Sequence, residues 1–170
     1  MKMEFTVREV RLADAEAIIG IINPIIAAGV YTAFDTLFRV ESERSYILGF
    51  PARGIFHVAE TLPARKIVGF QSMEPFAQYT HAFDHVGVLG TYVDLSQRRQ
   101  GIATCLFAAT FEAARRKGYE KIFTFIRSDN PAALAAYRHQ GFRIVGTACR
   151  QAKFGGTYVD EIIVEKFLEG

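Results

Sequence analysis

The stretch Tyr92-Val93-Asp94-Leu95-Ser96-Gln97-Arg98-Arg99-Gln100-Gly101-Ile102-Ala103-Thr104 is the part of the chain with the clearest chemistry. An apolar run ends there, a short turn carries two arginines, and a helical pattern opens on Gly101. Helix N-termini expose unpaired N–H groups and a partial positive charge, so they bind anions. Gly101 and Ala103 have little or no side chain, which leaves room for phosphate oxygens beside the backbone. The competing reading is a solvated basic turn. No Gly-Lys-Ser/Thr follows, so this is not a Walker A loop, and the glycine spacing is not that of a dinucleotide fingerprint.

The secondary structure around this turn follows from periodicity. Glu4–Val10 reads as a strand and Asp14–Ala28 as an apolar helix, with a kink or break expected at Asn23-Pro24. Gly29–Thr36 is a loop and Glu41–Leu48 a short helix. Ile55–Glu60, Lys66–Met73 and Val86–Asp94 are strands, with a longer connection from Glu74 to His85. Gly101–Lys117 is helical, with Ile102, Leu106, Ala109 and Ala113 on one stripe and Gly118 beyond its end. Lys121–Ile126 is a strand. Asn130 as N-cap, Pro131 at the first helical position and Gly141 past the end bracket a further helix. Phe142–Thr147 and Thr157–Phe167 are the last strands. This is an α/β pattern with a central mixed sheet flanked by helices.

Composition removes several classes. The 170 residues carry 20 Lys plus Arg against 18 Asp plus Glu, a net charge of +2, which does not support a nucleic-acid binder. No apolar run approaches the ~18 residues a bilayer requires, so a membrane partner is not expected. Met1–Phe5 lacks the basic start and apolar stretch of a secretory signal. The only cysteines, Cys105 and Cys149, have no metal-ligand spacing and read as free thiols in a cytoplasmic protein. His81, Asp84 and His85 lie close in sequence on a connection, where a solvated loop is favoured over a metal site, and no metal is expected.

Arg98-x-x-Gly101-x-Ala103 resembles the acetyl-CoA pyrophosphate signature of the GNAT superfamily of N-acetyltransferases. Asn130, Pro131, Leu134, Tyr137, Gly141 and Phe142 resemble its second motif, and the order of strands and helices fits along nearly the whole chain. The resemblance implies one GNAT domain over residues 1–170. Thr32-Ala33-Phe34-Asp35-Thr36, Glu74-Pro75-Phe76 and Lys153-Phe154-Gly155-Gly156 look like the phosphinothricin acetyltransferase branch.

The resemblance also implies a reaction, direct attack of an amine on the acetyl-CoA thioester without an acyl-enzyme. Arg98, Arg99 and the backbone amides of Gln100, Gly101, Ile102 and Ala103 would hold the pyrophosphate, with the Thr104 hydroxyl adding a contact. The backbone of Tyr92 and Val93 would pair with pantetheine, and an amide there, assigned to Val93, would polarise the thioester carbonyl. Asn130 would bond to pantetheine. Tyr137 is the candidate acid for the departing thiolate, against the alternative of a core tyrosine. A phenol near ~10 and a thiol near ~8.5 make that transfer uphill by roughly 2 kcal/mol, so its main contribution is a hydrogen bond.

The general base departs from the family pattern. Many relatives carry Glu on the strand before the signature, where this chain has Val88 in His85-Val86-Gly87-Val88-Leu89-Gly90. Glu74, His81, Asp84, His85 and a chain of waters remain as candidates. A weak base favours α-amines, already partly deprotonated near neutral pH, over lysine-type amines. Tyr31, Phe34, Phe76 and Tyr79 border the acceptor side in relatives, with ordinary packing as the alternative for each. Lys153 is a candidate for a substrate carboxylate, against the alternative of an exposed hairpin lysine. The expected activity is acetyl transfer from acetyl-CoA to a small-molecule amine, an amino acid or analogue. A protein N-terminal acetyltransferase and a non-catalytic acyl-CoA sensor are the competing readings. The oligomeric state stays open, a homodimer included.

Overall fold

The computed structural model describes residues 4–169; the start of the expected polar N-terminus, Met1–Met3, lies outside them. Seven strands form one sheet in the order β1-β2-β3-β4-β5-β7-β6. They are β1 (Glu4–Glu9), β2 (Ile55–Leu62), β3 (Ile67–Pro75), β4 (Val86–Val93), β5 (Lys121–Arg127), β6 (Arg143–Phe154) and β7 (Thr157–Phe167). The helices are α1 (Ala15–Ala28), α2 (Val40–Leu48), α3 (Ile102–Arg116) and α4 (Pro131–His139). Five of the six strand pairs are antiparallel and one, β4 with β5, is parallel.

Two packed layers follow from strand alternation. Ile18, Ile22 and Ile25 of α1 bury against Phe56 and Phe70, with Tyr92 packed alongside. On the opposite face Phe107 and Phe111 of α3 and Tyr137 of α4 bury against Met73, Leu89 and Ile122. Phe70 and Tyr92 therefore face α1, while Met73 and Leu89 face α3 and α4.

The parallel pair determines where a ligand can enter. β4 bonds to β5 only through Val86–Val88 against Lys121–Phe123. The Val86 carbonyl accepts from Phe76 N–H at 3.0 Å and Asp94 N–H donates to the Val68 carbonyl at 2.9 Å, both towards β3. Backbone groups alternate sides along an antiparallel strand. Even-numbered residues of β4 are thus committed to β3. Leu89, Thr91 and Val93 turn their N–H and C=O groups to the other side, past the point where β5 has diverged.

Two expectations are corrected. The first helix runs on through Pro24 to Ala28, so the break, one of the two outcomes expected there, is absent. Pro24 withholds its bond from the carbonyl of Gly20, a residue with open space around it. Ile18, Ile21, Ile22, Ile25 and Ile26 are all at most 6% exposed. At about 1.5–3 kcal/mol each, their burial outweighs the ~3 kcal/mol a mid-helix proline costs. Asn23 adds a two-way clamp on Phe38, accepting from its N–H at 2.9 Å and donating to its carbonyl at 3.0 Å. The second correction is β6, which runs to Phe154 rather than ending near Thr147. Its register shifts between Ile144 and Gly146 and again between Ala148 and Ala152, so no period of two is visible there.

Candidate active site

At one end of the free edge of β4 lies the basic turn. Gly101 is the residue before α3 and has φ of 85°, a conformation that suits glycine. No side chain caps α3, so its first N–H groups face outward without a side-chain partner. Arg99 also has positive φ, at 62°, and is exposed together with Gln100 and Thr104. The Arg98 guanidinium lies 4.0 Å over the Tyr31 ring. Ile102 is 1% exposed, so only its backbone belongs to the turn. The Thr104 hydroxyl accepts from the Gln140 side chain at 3.2 Å.

Beyond Val88 the divergence of β4 and β5 opens a cavity of about 610 Å³. Tyr137 projects into it from α4 and is 8% exposed, held edge-on by Phe107 and Phe142 at 5.1 Å each. Its hydroxyl lies 3.1 Å from Thr91 Oγ1, which also accepts from Gln71 Nε2 at 2.7 Å. Because Gln71 donates to Thr91, the Thr91 hydroxyl is free to donate to the Tyr137 oxygen. With Thr91 as donor, the phenolic proton is left available to the cavity. Burial pushes the Tyr137 phenol well above its ordinary value, with the Thr91 bond partly opposing, so it stays protonated.

Glu74 stands beside Val88. In the β3–β4 register Glu74 is the direct cross-strand partner of Val88, so the two side chains share a face of the sheet. Ser72 and Phe70 continue that face opposite Gly90 and Tyr92. Glu74 is half-buried, lines the cavity, and accepts a short hydrogen bond from the Tyr46 hydroxyl of α2. Burial, reinforced by Glu74, pushes Tyr46 far above its ordinary value and keeps it a donor. Thr91 and Tyr137 stand on the opposite face. The other candidate bases lie elsewhere: His81 has a fully exposed side chain, His85 is exposed, and Asp84 pairs with His81 at 2.9 Å and Arg53 at 3.8 Å.

The remaining site residues divide. Tyr31, Phe34, Phe76, Tyr92 and Asn130 line the cavity with Glu74 and Tyr137. Tyr79 is 84% exposed and stands apart from it. Tyr92 contributes its ring, stacked on Phe70 at 4.9 Å, while its backbone is committed to β3; Val93 does have its backbone on the free edge. Asn130 caps α4 by accepting from Ala133 N–H at 3.1 Å and donates to the Tyr31 carbonyl at 3.4 Å. Lys153 is exposed on β6, 4.9 Å from the Tyr158 ring, outside the cavity. Thr91, Gln71, Tyr46 and Glu43 were not anticipated; polar residues at Gln71 and Thr91 within otherwise apolar strands are the signal that marks the first two.

Comparison with known proteins identifies the fold and the family. The family model described as "Acetyltransferase (GNAT) family" matches residues 29–142. A phosphinothricin N-acetyltransferase of Streptomyces coelicolor is 27% identical over 130 residues, covering 75% of each chain. A mycothiol acetyltransferase of Corynebacterium aurimucosum is 32% identical over 90 residues, which span 53% of this chain and only 29% of that protein. A phosphinothricin acetyltransferase from Sinorhizobium meliloti, solved in complex with acetyl-CoA, superimposes with a TM-score of 0.87 at 18% identity, covering 98% of this chain and 89% of the other. With the match extending over most of the described residues, the chain belongs to the acetyltransferase (GNAT) family.

Proposed function

We propose that the protein transfers an acetyl group from acetyl-CoA to the primary amine of a small molecule by direct attack. The observation that carries this reading is the placement of Glu74, on β3, and Tyr137, on α4, on opposite faces of the sheet beside the free edge of β4. Two proton-handling groups on opposite sides of one thioester suit a single displacement. The α3 N-terminus with Arg98 and Arg99 takes the pyrophosphate, and the free backbone groups of Leu89, Thr91 and Val93 take the pantetheine arm. Tyr92 cannot share that pairing through its backbone.

The amine nitrogen attacks the thioester carbon, and the carbonyl oxygen gains negative charge that a free β4 amide stabilises. As the C–N bond forms, the nitrogen becomes acidic and loses a proton to the Glu74 carboxylate. The C–S bond then breaks, and the thiolate receives a hydrogen bond or a proton from Tyr137. Val88 alone favours a non-catalytic sensor; the Glu74 carboxylate on the neighbouring strand supports catalysis instead. The phosphinothricin acetyltransferase likeness favours an amino acid or analogue as acceptor, whereas the charge of the cavity favours an amine without a carboxylate. The exposed, unpaired Cys105 and Cys149 suit a reducing cytoplasm.

The test is CoA release across amines, amino acids and short peptides, with acetyl-CoA affinity measured by calorimetry. Arg98→Glu and Gly101→Asp are expected to weaken acetyl-CoA binding at least tenfold with the thermal transition retained. Unchanged affinity in both, or release only with peptides, contradicts the reading.

A further inference from the structure

A second cavity, of about 400 Å³, opens off the first and lies between the α1–α2 layer and the sheet. Phe34, Tyr46, Ser72, Glu74 and Tyr92 line both, so the two communicate where Glu74 stands. The inner walls are apolar, with Ile18, Ile22, Phe38, Phe56 and Phe70 contributing side chains. Ser42 adds a hydroxyl, and the charged exception is Glu43 of α2. It is 7% exposed, lines the cavity, and has no side-chain hydrogen bond or ion pair among the described residues. Its carboxyl oxygens reach the cavity rather than being sealed in protein, so a cation entering the cavity can pair with them.

The rest of the lining points the same way. Glu43, Glu74 and Glu161 face the joined cavities against one cation, Arg127. That guanidinium is already engaged, donating to both Asp129 oxygens at 2.8 and 2.7 Å and to the Thr32 carbonyl at 2.9 Å. A substrate carboxylate would enter an acidic site with no uncommitted cation among the described lining residues.

We propose that the acceptor is an apolar primary amine without a carboxylate, its body in the 400 Å³ cavity and its ammonium between Glu43 and Glu74. This deepens the acetyltransferase reading and rests on it. The ammonium first loses one proton through Glu74 to solvent; the free amine, at the junction of the cavities, then attacks the thioester arriving from the larger one and gives its second proton to Glu74 as the C–N bond forms. Burial holds the Glu43 carboxyl above the usual carboxylate range while the cavity is empty, so an arriving ammonium meets a group that gains from its charge. Such amines are strongly basic, which is consistent with a carboxylate, rather than water alone, beside the reacting nitrogen.

The experiment compares 2-phenylethylamine with L-phenylalanine, which has the same apolar body and adds a carboxylate. kcat/KM is expected to favour the amine by about a hundredfold or more, because the carboxylate meets only committed or like-charged groups. Along n-alkylamines from propyl to hexyl, kcat/KM is expected to rise about fourfold per methylene as the apolar cavity fills. Glu43→Gln is expected to lower kcat/KM for 2-phenylethylamine and to narrow its lead over phenylalanine. Equal or better use of phenylalanine by the unmodified protein, or a flat alkylamine series, overturns the inference and leaves the transferase reading standing. Acetyl-CoA binding without CoA release for any amine, amino acid or peptide overturns both.

Discussion

Replacing Glu74 by glutamine leaves the shape of the site almost untouched and removes one proton acceptor. The amide oxygen can still accept from the Tyr46 hydroxyl, and the β3–β4 pairing does not involve the side chain. The loss is therefore that of a general base, typically about 10²–10⁴-fold. That corresponds to about 2.7–5.4 kcal/mol of transition-state stabilisation. The cross-strand register provides a sharper form of the test. Cβ atoms of direct cross-strand partners stand about 4.5–5.5 Å apart on one face, within the reach of a glutamate side chain. Val88→Glu in the Glu74→Gln background should thus present a carboxylate to the same amine from the neighbouring strand. Steady-state CoA release at saturating acetyl-CoA is expected to fall by at least a hundredfold in Glu74→Gln and to recover at least tenfold in the double variant. Near-native kcat/KM in Glu74→Gln would mean that water alone takes the proton, and the reasoning from Val88's partner would be wrong.

Other consequences are equally open to measurement. Tyr137→Phe keeps the ring in its aromatic cage and removes only the hydroxyl, so kcat should fall by about tenfold or more while KM for acetyl-CoA changes little; a wild-type kcat would reduce Tyr137 to packing. Thr91→Val should reproduce part of that loss, since Thr91 orients the phenol, and an unaffected kcat would detach Thr91 from it. His57 is buried on β2, with Nδ1 3.0 Å from the Thr110 hydroxyl, and burial lowers its pKa below the ordinary value. Its contribution to stability is therefore present above the unfolded value near ~6.5 and is lost as pH falls from there towards the folded value. Urea melts at pH 7.5 and 5.5 should show a larger drop for the wild type than for His57→Gln, and equal drops would refute this.

Local chemistry proved legible where it is encoded by neighbours in sequence. Asn130, Pro131 and Gly141 bracket α4 because capping and positive φ depend on a few adjacent residues, and the same holds for Gly101 at the start of α3. Glu74 could be named only as one candidate among several. Its position opposite Val88 depends on a register set across the whole β3–β4 connection, which no local pattern reveals. Nor do side chains report which way a strand's backbone groups point, so Tyr92 could not be separated from Val93 before the hydrogen bonds of Val86 and Asp94 were known. Glu43 reads as an ordinary charged residue of a polar helix. Its burial comes from the packing of α2 over the sheet. Pro24 shows tertiary burial overriding a local breaker.

In the proposed reaction the thioester lies on the free edge of β4, between Glu74 on one face of the sheet and Tyr137 on the other. A crystal structure with a bisubstrate analogue, CoA joined through an acetyl bridge to 2-phenylethylamine, tests it most directly. The expected result places the pantetheine arm along Leu89, Thr91 and Val93, the sulfur within hydrogen-bonding reach of the Tyr137 hydroxyl, and the amine nitrogen on the Glu74 side. An analogue bound away from that edge, or with nitrogen and sulfur both on the face of Tyr137, would contradict it.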